Sequence, residues 1–412
     1  MTAAVQPVDT SGRRFPQWVV LLVASLIGVV VFTVVLTGVL SALNQVPLEV
    51  ALGTATQQTA NALSLGAIYA LVALGYTMVY GIIELINFAH GDVFMIGAFV
   101  AMTFLTTGFQ ANAKLGPTVA LIFLAGLAIL LGWGLISGLG IKRALPRIAS
   151  LVAIVLAVAG FWFGIQQSGA INEPLTMVAI LIPTFLIAMV MMASVNVTIE
   201  RLAYRPLRHA PRVAPLITAV GVSFILQNII QLLYGTGDRG SPQIFPLTKF
   251  ELMGAQVNVL NLFIFAIALA LMIGLQLFVG RTRLGRAMRS TAQDQQAAQL
   301  MGVDLNQTIS TTFLIGGALA GAAGVFQGLY FGFVRFDLGF NAGLKAFTAA
   351  VLGGIGNLTG AVLGGFIIGF VEVFTAAIGQ ARWSQAIVFV VLIMVLLFKP
   401  SGLLGQEVAD RA

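Results

Sequence analysis

The sequence predicts an all-α fold: a polytopic transmembrane helical bundle with discontinuous helices in both halves. Three observations carry that expectation. Of 412 residues, 59% are hydrophobic and 8% charged, with a mean hydropathy of +1.00, whereas soluble domains carry about a quarter charged residues. Apolar runs recur at the length a bilayer requires, roughly 20 residues at 1.5 Å rise each. Two short interruptions break those runs, ELINFAHGD at Glu84–Asp92 and GGIGNLTG at Gly353–Gly360.

The first run, Trp18–Leu43, follows Arg13 and Arg14. It exceeds the roughly 7–15 apolar residues of a secretory leader, so it is expected to persist as a helix rather than be cleaved near Ser41–Ala42. Further spans are expected at Thr59–Ile83, Val93–Gly108, Pro117–Gly140, Ile148–Ile165, Leu175–Ile199, Val213–Tyr234 and Val257–Gly280. Ile309–Val334, the glycine-rich Gly343–Gly379 and Ser384–Phe398 complete the series.

Orientation follows from Lys and Arg. Arg13/Arg14, Lys142/Arg143/Arg147, Arg201/Arg205/Arg208/Arg212, Arg281/Arg283/Arg286/Arg289 and Lys399/Arg411 form five groups. An even number of spans separates neighbouring groups, provided that Gly343–Gly379 crosses twice. All five then lie on the cytoplasmic side, with both termini. The net charge of +7 is therefore read as topology, not as a nucleic-acid surface. Absent cysteines exclude thiolate sites, and His90 and His209 are too few for a metal centre. Gly280-RTRL-Gly285-Arg286 has phosphate-loop spacing without the Lys-Ser/Thr pair, and Gly354-Ile-Gly356 imitates a dinucleotide loop inside a membrane-grade segment. No nucleophile–base arrangement is visible, so no catalytic residue is assigned.

Candidate path residues cluster at the interruptions. Tyr69, Tyr76, Tyr80 and Glu84 share one helix face, either as a hydroxyl-lined path or as cross-helix hydrogen bonders beside small residues. Asn87, His90, Gly91 and Asp92 follow. Ionisable groups at membrane depth face a cavity or pathway, while the simpler reading has Asn87, His90 and Asp92 capping helix ends. Glu84 and Lys345 could pair, or Lys345 could snorkel. Gly353, Gly354 and Gly356 offer bare backbone at the second interruption, and paired interruptions in separate halves mark transport sites.

The loop RTRLGRAMRSTAQDQQAAQLMGVD carries the sharpest signal. Ser290 or Thr291 is expected to cap a helix, with Gln293 or Asp294 closing the box and Gly302 ending it. Ala297, Ala298, Leu300 and Met301 form one apolar side, suited to a partner's groove more than to lipid.

Gln296-Ala297-Ala298-x3-Gly302 is similar to the Glu-Ala-Ala-x3-Gly loop of ABC-importer permeases, which docks on the ATPase subunit. GYTMVYGIIELINFAHGD, ERLAYRPLR (Glu200–Arg208) and GLKAFTAAVLGGIG (Gly343–Gly356) resemble the branched-chain amino-acid permease family from about Thr56 to Gly405. That resemblance implies a non-enzymatic subunit of an importer in the bacterial inner membrane. The implied partners are ABC ATPases carrying ATP and Mg, a second related permease forming a heterodimer, and a soluble substrate-binding protein. The chain would hold no cofactor itself. Its permease domain would be residues 56–405, preceded by an extra helix within 1–55 and followed by a tail at 406–412. Residues 281–308 would be the coupling loop, with Asp294, Gln296, Ala297, Ala298, Leu300, Met301 and Gly302 at the dock. Gln296 departs from the acidic residue of the general motif, so ion pairs with the ATPase would fall to Asp294 or the arginines. Residues 109–175 hold two spans more than the family usually has. Alternatives are a same-family permease for urea or a small amide and an ion-coupled secondary transporter, which needs no ATPase dock.

Overall fold

The computed structural model describes residues 17–109, 174–208, 210–211, 213–242, 249–252 and 255–405. The spans expected at Pro117–Gly140 and Ile148–Ile165, the first two basic groups, His209, Arg212 and the 406–412 tail lie outside the described residues.

Helix α1 (Gln17–Asn44) leads through Gln45–Pro47 into the 36-residue α2 (Leu48–Ile83). α2 stops at Glu84, whose left-handed backbone (φ 54°) turns the chain while its N–H still bonds the Tyr80 carbonyl at 2.8 Å. α3 (His90–Phe109) follows. α4 (Pro174–Ile199) runs into a π-turn at Glu200–Tyr204 and a 3-10 turn at Arg205–Leu207. Pro206 suits this ending, because its ring removes a donor from the helical ladder. Next come α5 (Val213–Tyr234), strands β1 (Arg239–Gly240), β2 (Lys249–Leu252) and β3 (Ala255–Asn258), and α6 (Val259–Arg281). Two short helices, α7 (Arg283–Gln293) and α8 (Gln295–Leu300), precede α9 (Leu305–Phe331) and β4 (Phe333–Val334). α10 (Leu338–Gly353), α11 (Leu358–Ala377) and α12 (Ser384–Phe398) complete the order. β2 pairs antiparallel with β3, and β1 with β4.

Eight helices among the described residues are long and apolar enough to cross a membrane. Both expected interruptions are present, at 84–89 and 354–357. The glycine-rich stretch forms an antiparallel pair, Gly353 meeting Gly360 and Gly364 meeting Ala349. The chain therefore reverses there, as the charge pattern requires.

α2 and α9 make the core: their apolar stretches are 94% and 72% buried. Those of α5 and α6 are 22% buried and expose Phe224, Leu232, Leu262 and Ile273, a surface suited to lipid. Small residues set the spacing around α2, as expected where packing rather than hydrophobic exclusion holds helices together. At the α2–α11 crossing a Cβ on Gly365 would fall 2.5 Å from the Ala70 backbone, whereas one on Gly221 in α5 meets nothing within 4 Å.

Gly365→Val is thus expected to lower stability by about 1–3 kcal/mol through overpacking, and Gly221→Val to leave it nearly unchanged. Thermal aggregation of detergent-solubilised protein checks this, and equal midpoints for the two variants would contradict the packing assignment.

Candidate functional site: the re-entrant turn and the coupling loop

Asn87, His90 and Asp92 of the first interruption are buried, and Asn87 and Asp92 hydrogen-bond to other helices. Asn87 is 1% exposed, His90 and Asp92 0%. Tyr204 donates to Asn87 Oδ1 at 3.1 Å, and Asn87 Nδ2 donates to Asn196 Oδ1 at 3.3 Å. Asn196 in turn donates to the Phe313 carbonyl at 2.6 Å. Ser223 and Gln227 of α5 donate to the two Asp92 oxygens, the latter at 3.0 Å. The hydrogen bonds of Asn87 and Asp92 thus run to α4, the π-turn and α5, where the simpler of the two sequence readings had them capping helix ends. His90 lies edge-on to Tyr76 with centroids 4.9 Å apart. Its ring fills the space that a side chain on Gly75 would take.

That contact fixes the geometry. Gly75 lies eight residues before the α2 terminus, so α3 starts about 12 Å back along α2. Residues 84–89 are a re-entrant turn, sealed by Asn87, Tyr204 and Asn196. Gly91 marks where α3 crosses α10: a Cβ there would fall 2.8 Å from Gly343 Cα. Gly91 therefore packs a helix crossing.

Lys345 does not pair with Glu84. Its Nζ lies 2.6 Å from Glu372 Oε1 on α11, and Tyr69 donates to Glu372 Oε2 at 2.8 Å. Glu84 sits exposed at the α2 terminus. Of the tyrosine stripe, Tyr69 and Tyr76 are buried and Tyr80 half-buried.

The second interruption is filled by the chain's own C-terminal segment. Leu403 and Leu404 donate backbone bonds to the Leu352 and Gly353 carbonyls at 2.8 and 2.9 Å. Asn357 bonds the Leu404 carbonyl at 2.8 Å and caps α11 through Gly360 N–H at 3.1 Å. Gly354 (φ 106°) turns against Gly402 and Gly405, while Gly356 (φ 86°) is exposed.

The loop at 281–302 departs from a further expectation. In place of one helix capped at Ser290 or Thr291 there are two, α7 and α8. Thr282 caps the first, accepting from Gly285 N–H at 3.0 Å. Asp294 caps the second, accepting from Gln296 and Ala297 N–H at 2.9 and 3.0 Å. Asp294 thereby satisfies two orphan donors. Gly302 does end the unit, at φ 85°. Ala298 turns inward at 3% exposure, while Leu300 and Met301 are 89% and 85% exposed. The outward apolar surface is therefore Leu300–Met301, and Arg281, Arg283, Arg286 and Arg289 of the same loop are also exposed.

Two contacts that sequence reasoning missed join this loop to the bundle. Gln295 Nε2 donates to the Ile82 carbonyl at 2.7 Å, one residue before the α2 terminus. Glu200, 0% exposed, pairs with Arg208 and accepts from Ser310 Oγ at 2.7 Å. Arg208 also reaches Asn306 at 2.8 Å, so ERLAYRPLR clamps α4 to the start of α9.

The sequence profile of the family described as branched-chain amino acid transport system / permease component matches residues 58–173 and 147–396. The chain belongs to this permease family. It is similar to the high-affinity branched-chain amino acid transport system permease protein BraD of Pseudomonas aeruginosa, 35% identical over 86% of this chain and 97% of that one. LivH of Escherichia coli K12, named for the same system, is 34% identical over the same shares. A probable branched-chain amino acid permease, LivH of Methanocaldococcus jannaschii, is 25% identical over 82% of this chain and 88% of that one. No solved structure matches the chain. The permease is thus a multi-pass membrane transport subunit. Among its described residues no His, Asp and Glu cluster could hold a metal ion.

In this permease Asn196→Leu is expected to destabilise the fold by about 1–3 kcal/mol, because it removes the acceptor of the buried Asn87 amide. Thermal stability of the purified protein checks this, and an unchanged midpoint would mean that the turn is held by something else.

Proposed function

We propose that this chain is the membrane permease subunit of an ATP-driven importer that passes branched-chain amino acids, handed over by a soluble binding protein, across the bacterial inner membrane. A second, related permease completes the membrane unit. ATP and Mg are bound on separate ATPase subunits, which dock at Leu300–Met301 from the cytoplasm, where both termini also lie. Family membership and the names of the relatives support the substrate class.

The observation that carries the mechanism is the Gln295–Ile82 hydrogen bond. It connects the proposed dock to a carbonyl in the last turn of α2, where the helix has no further turn of its own to satisfy it. When the ATPases close on ATP, displacement of α8 would pull on α2 and the re-entrant turn together, biasing the bundle between its access states. At the far end of α2, about 50 Å away, Glu49, Thr54, Gln57, Lys249 and Gln256 surround a depression beside the β2–β3 hairpin. That polar rim suits contact with a soluble binding protein.

Joint substitution Leu300→Glu and Met301→Glu tests the dock. Carboxylates desolvated in a groove without partners cost several kcal/mol, so uptake should fall at least about tenfold and ATPase co-purification should be lost. Membrane abundance should hold, because both side chains are exposed. Normal uptake with normal co-purification would remove this loop as the dock. Gln295→Leu should keep the ATPase bound yet lower leucine uptake per ATP hydrolysed; an unaltered ratio would remove the hydrogen bond from the mechanism.

A further inference from the structure

Three charged groupings lie within or beside the spanning helices, and they differ in one respect. Asp92 is 0% exposed, and Glu200, also 0%, pairs with the 20%-exposed Arg208 beyond the end of α4 rather than within a span. The Lys345 and Glu372 side chains are 15% and 18% exposed and border accessible space. Lys345 is seven residues into the 16-residue α10, so it sits about 10 Å or more from either helix end.

We propose that Lys345, Glu372 and Tyr69 receive the charged ends of the transported amino acid: its carboxylate replaces Glu372 on Lys345, and its ammonium replaces Lys345 on Glu372. This rests on the importer reading above and gives it a recognition point inside the bundle. A charge pair at membrane depth is expensive and marks a pathway. A pair needed only for packing could be an apolar pair, which is often as stable or more so. The two charges here match the two charges of an α-amino acid, so exchanging one pair for two new ones leaves no charge unpaired. A neutral solute offers neither partner, and an ion of one sign offers one. Tyr69 holds the arrangement while the pair parts. Its hydroxyl donates to Glu372 Oε2, lies 3.4 Å from Lys345 Nζ, and its ring centroid is 5.8 Å from that nitrogen. The site reads the zwitterion and leaves the side chain to the binding protein.

The test uses the assembled transporter with leucine-loaded binding protein, comparing the unsubstituted permease with the double variant Lys345→Met, Glu372→Gln. Met keeps most of the lysine stem, and Gln still accepts from Tyr69, so the variant preserves shape without charge. The expected result is normal abundance and normal stimulation of ATP hydrolysis, with leucine uptake lowered at least about tenfold. Uptake within about twofold of the unsubstituted complex would show that the pair is structural and overturn the proposal. Leucine uptake by the unsubstituted complex is the control that separates failure of the importer reading from failure of the site. Should the double variant fail to accumulate, Asn341→Cys decides. It lies one turn from Lys345 and is the sole thiol in a chain without cysteine. Leucine delivery should slow its reaction with a water-soluble thiol reagent, and a rate indifferent to leucine would overturn the proposal.

Discussion

In hydrocarbon every backbone polar group needs a partner from the protein, and the chain reversal at 84–89 has to meet that requirement within the bundle. Tyr204 meets part of it directly, donating to the Ile86 carbonyl at 3.3 Å, and the Asn87 side chain holds that hydroxyl in place. One amide side chain receives Tyr204 and donates to Asn196, drawing the turn against α4 and α9. From that single seat the rest follows. α3 begins deep beside Gly75, Gly91 meets α10, and Asp92 reaches α5. Asn87 and Asp92, which look misplaced in an apolar sequence, are what ties the apolar helices around the reversal.

The same turn explains how a surface loop can act on the membrane interior. α2 ends at Ile83, and Gln295 reaches its last turn. The Glu200–Arg208 pair and its contacts to Asn306 and Ser310 hold the neighbouring α4 and α9 ends in register. In the proposed mechanism a displacement of α8 would reach the α2 end through Gln295, beside these braced α4 and α9 ends. This arrangement favours a concerted shift over local bending, because packed interfaces have discrete arrangements rather than a continuum.

Much of this was legible in the sequence. Spans were visible because a bilayer imposes length and hydropathy together, and the described helices agree with the expected runs to within a few residues, apart from the N-terminal extension of α2. The interruptions showed because polar or glycine-rich residues inside apolar runs need a reason. Partner choice was not legible. Lys345 had two acidic groups in apolar surroundings to choose from, and the one at Glu372 lies 27 positions away across the α10–α11 reversal. Asn87 finds its partners 109 and 117 positions away. The loop at 283–302 misled for a local reason: Ser290, Thr291 and Asp294 all suit a helix start, and Asp294 took the role. Ala298 then turned inward, leaving Leu300 and Met301 outside. A lone carboxylate in the run GFVEVF, at Glu372, was the sequence signal that could have revealed the ion pair.

We propose that the 283–302 loop and the end of α2 move as one unit. Because the chain has no native cysteine, spin labels can be placed at Gln299→Cys and Glu84→Cys, with a reference at Gln380→Cys. Distances between them, measured in the assembled transporter without nucleotide and with ATP trapped, test the claim directly. The account predicts that the 299–84 distance stays constant while both distances to 380 change together. A 299–84 distance that changes, with 84–380 fixed, would show the loop sliding past a stationary α2 and contradict it.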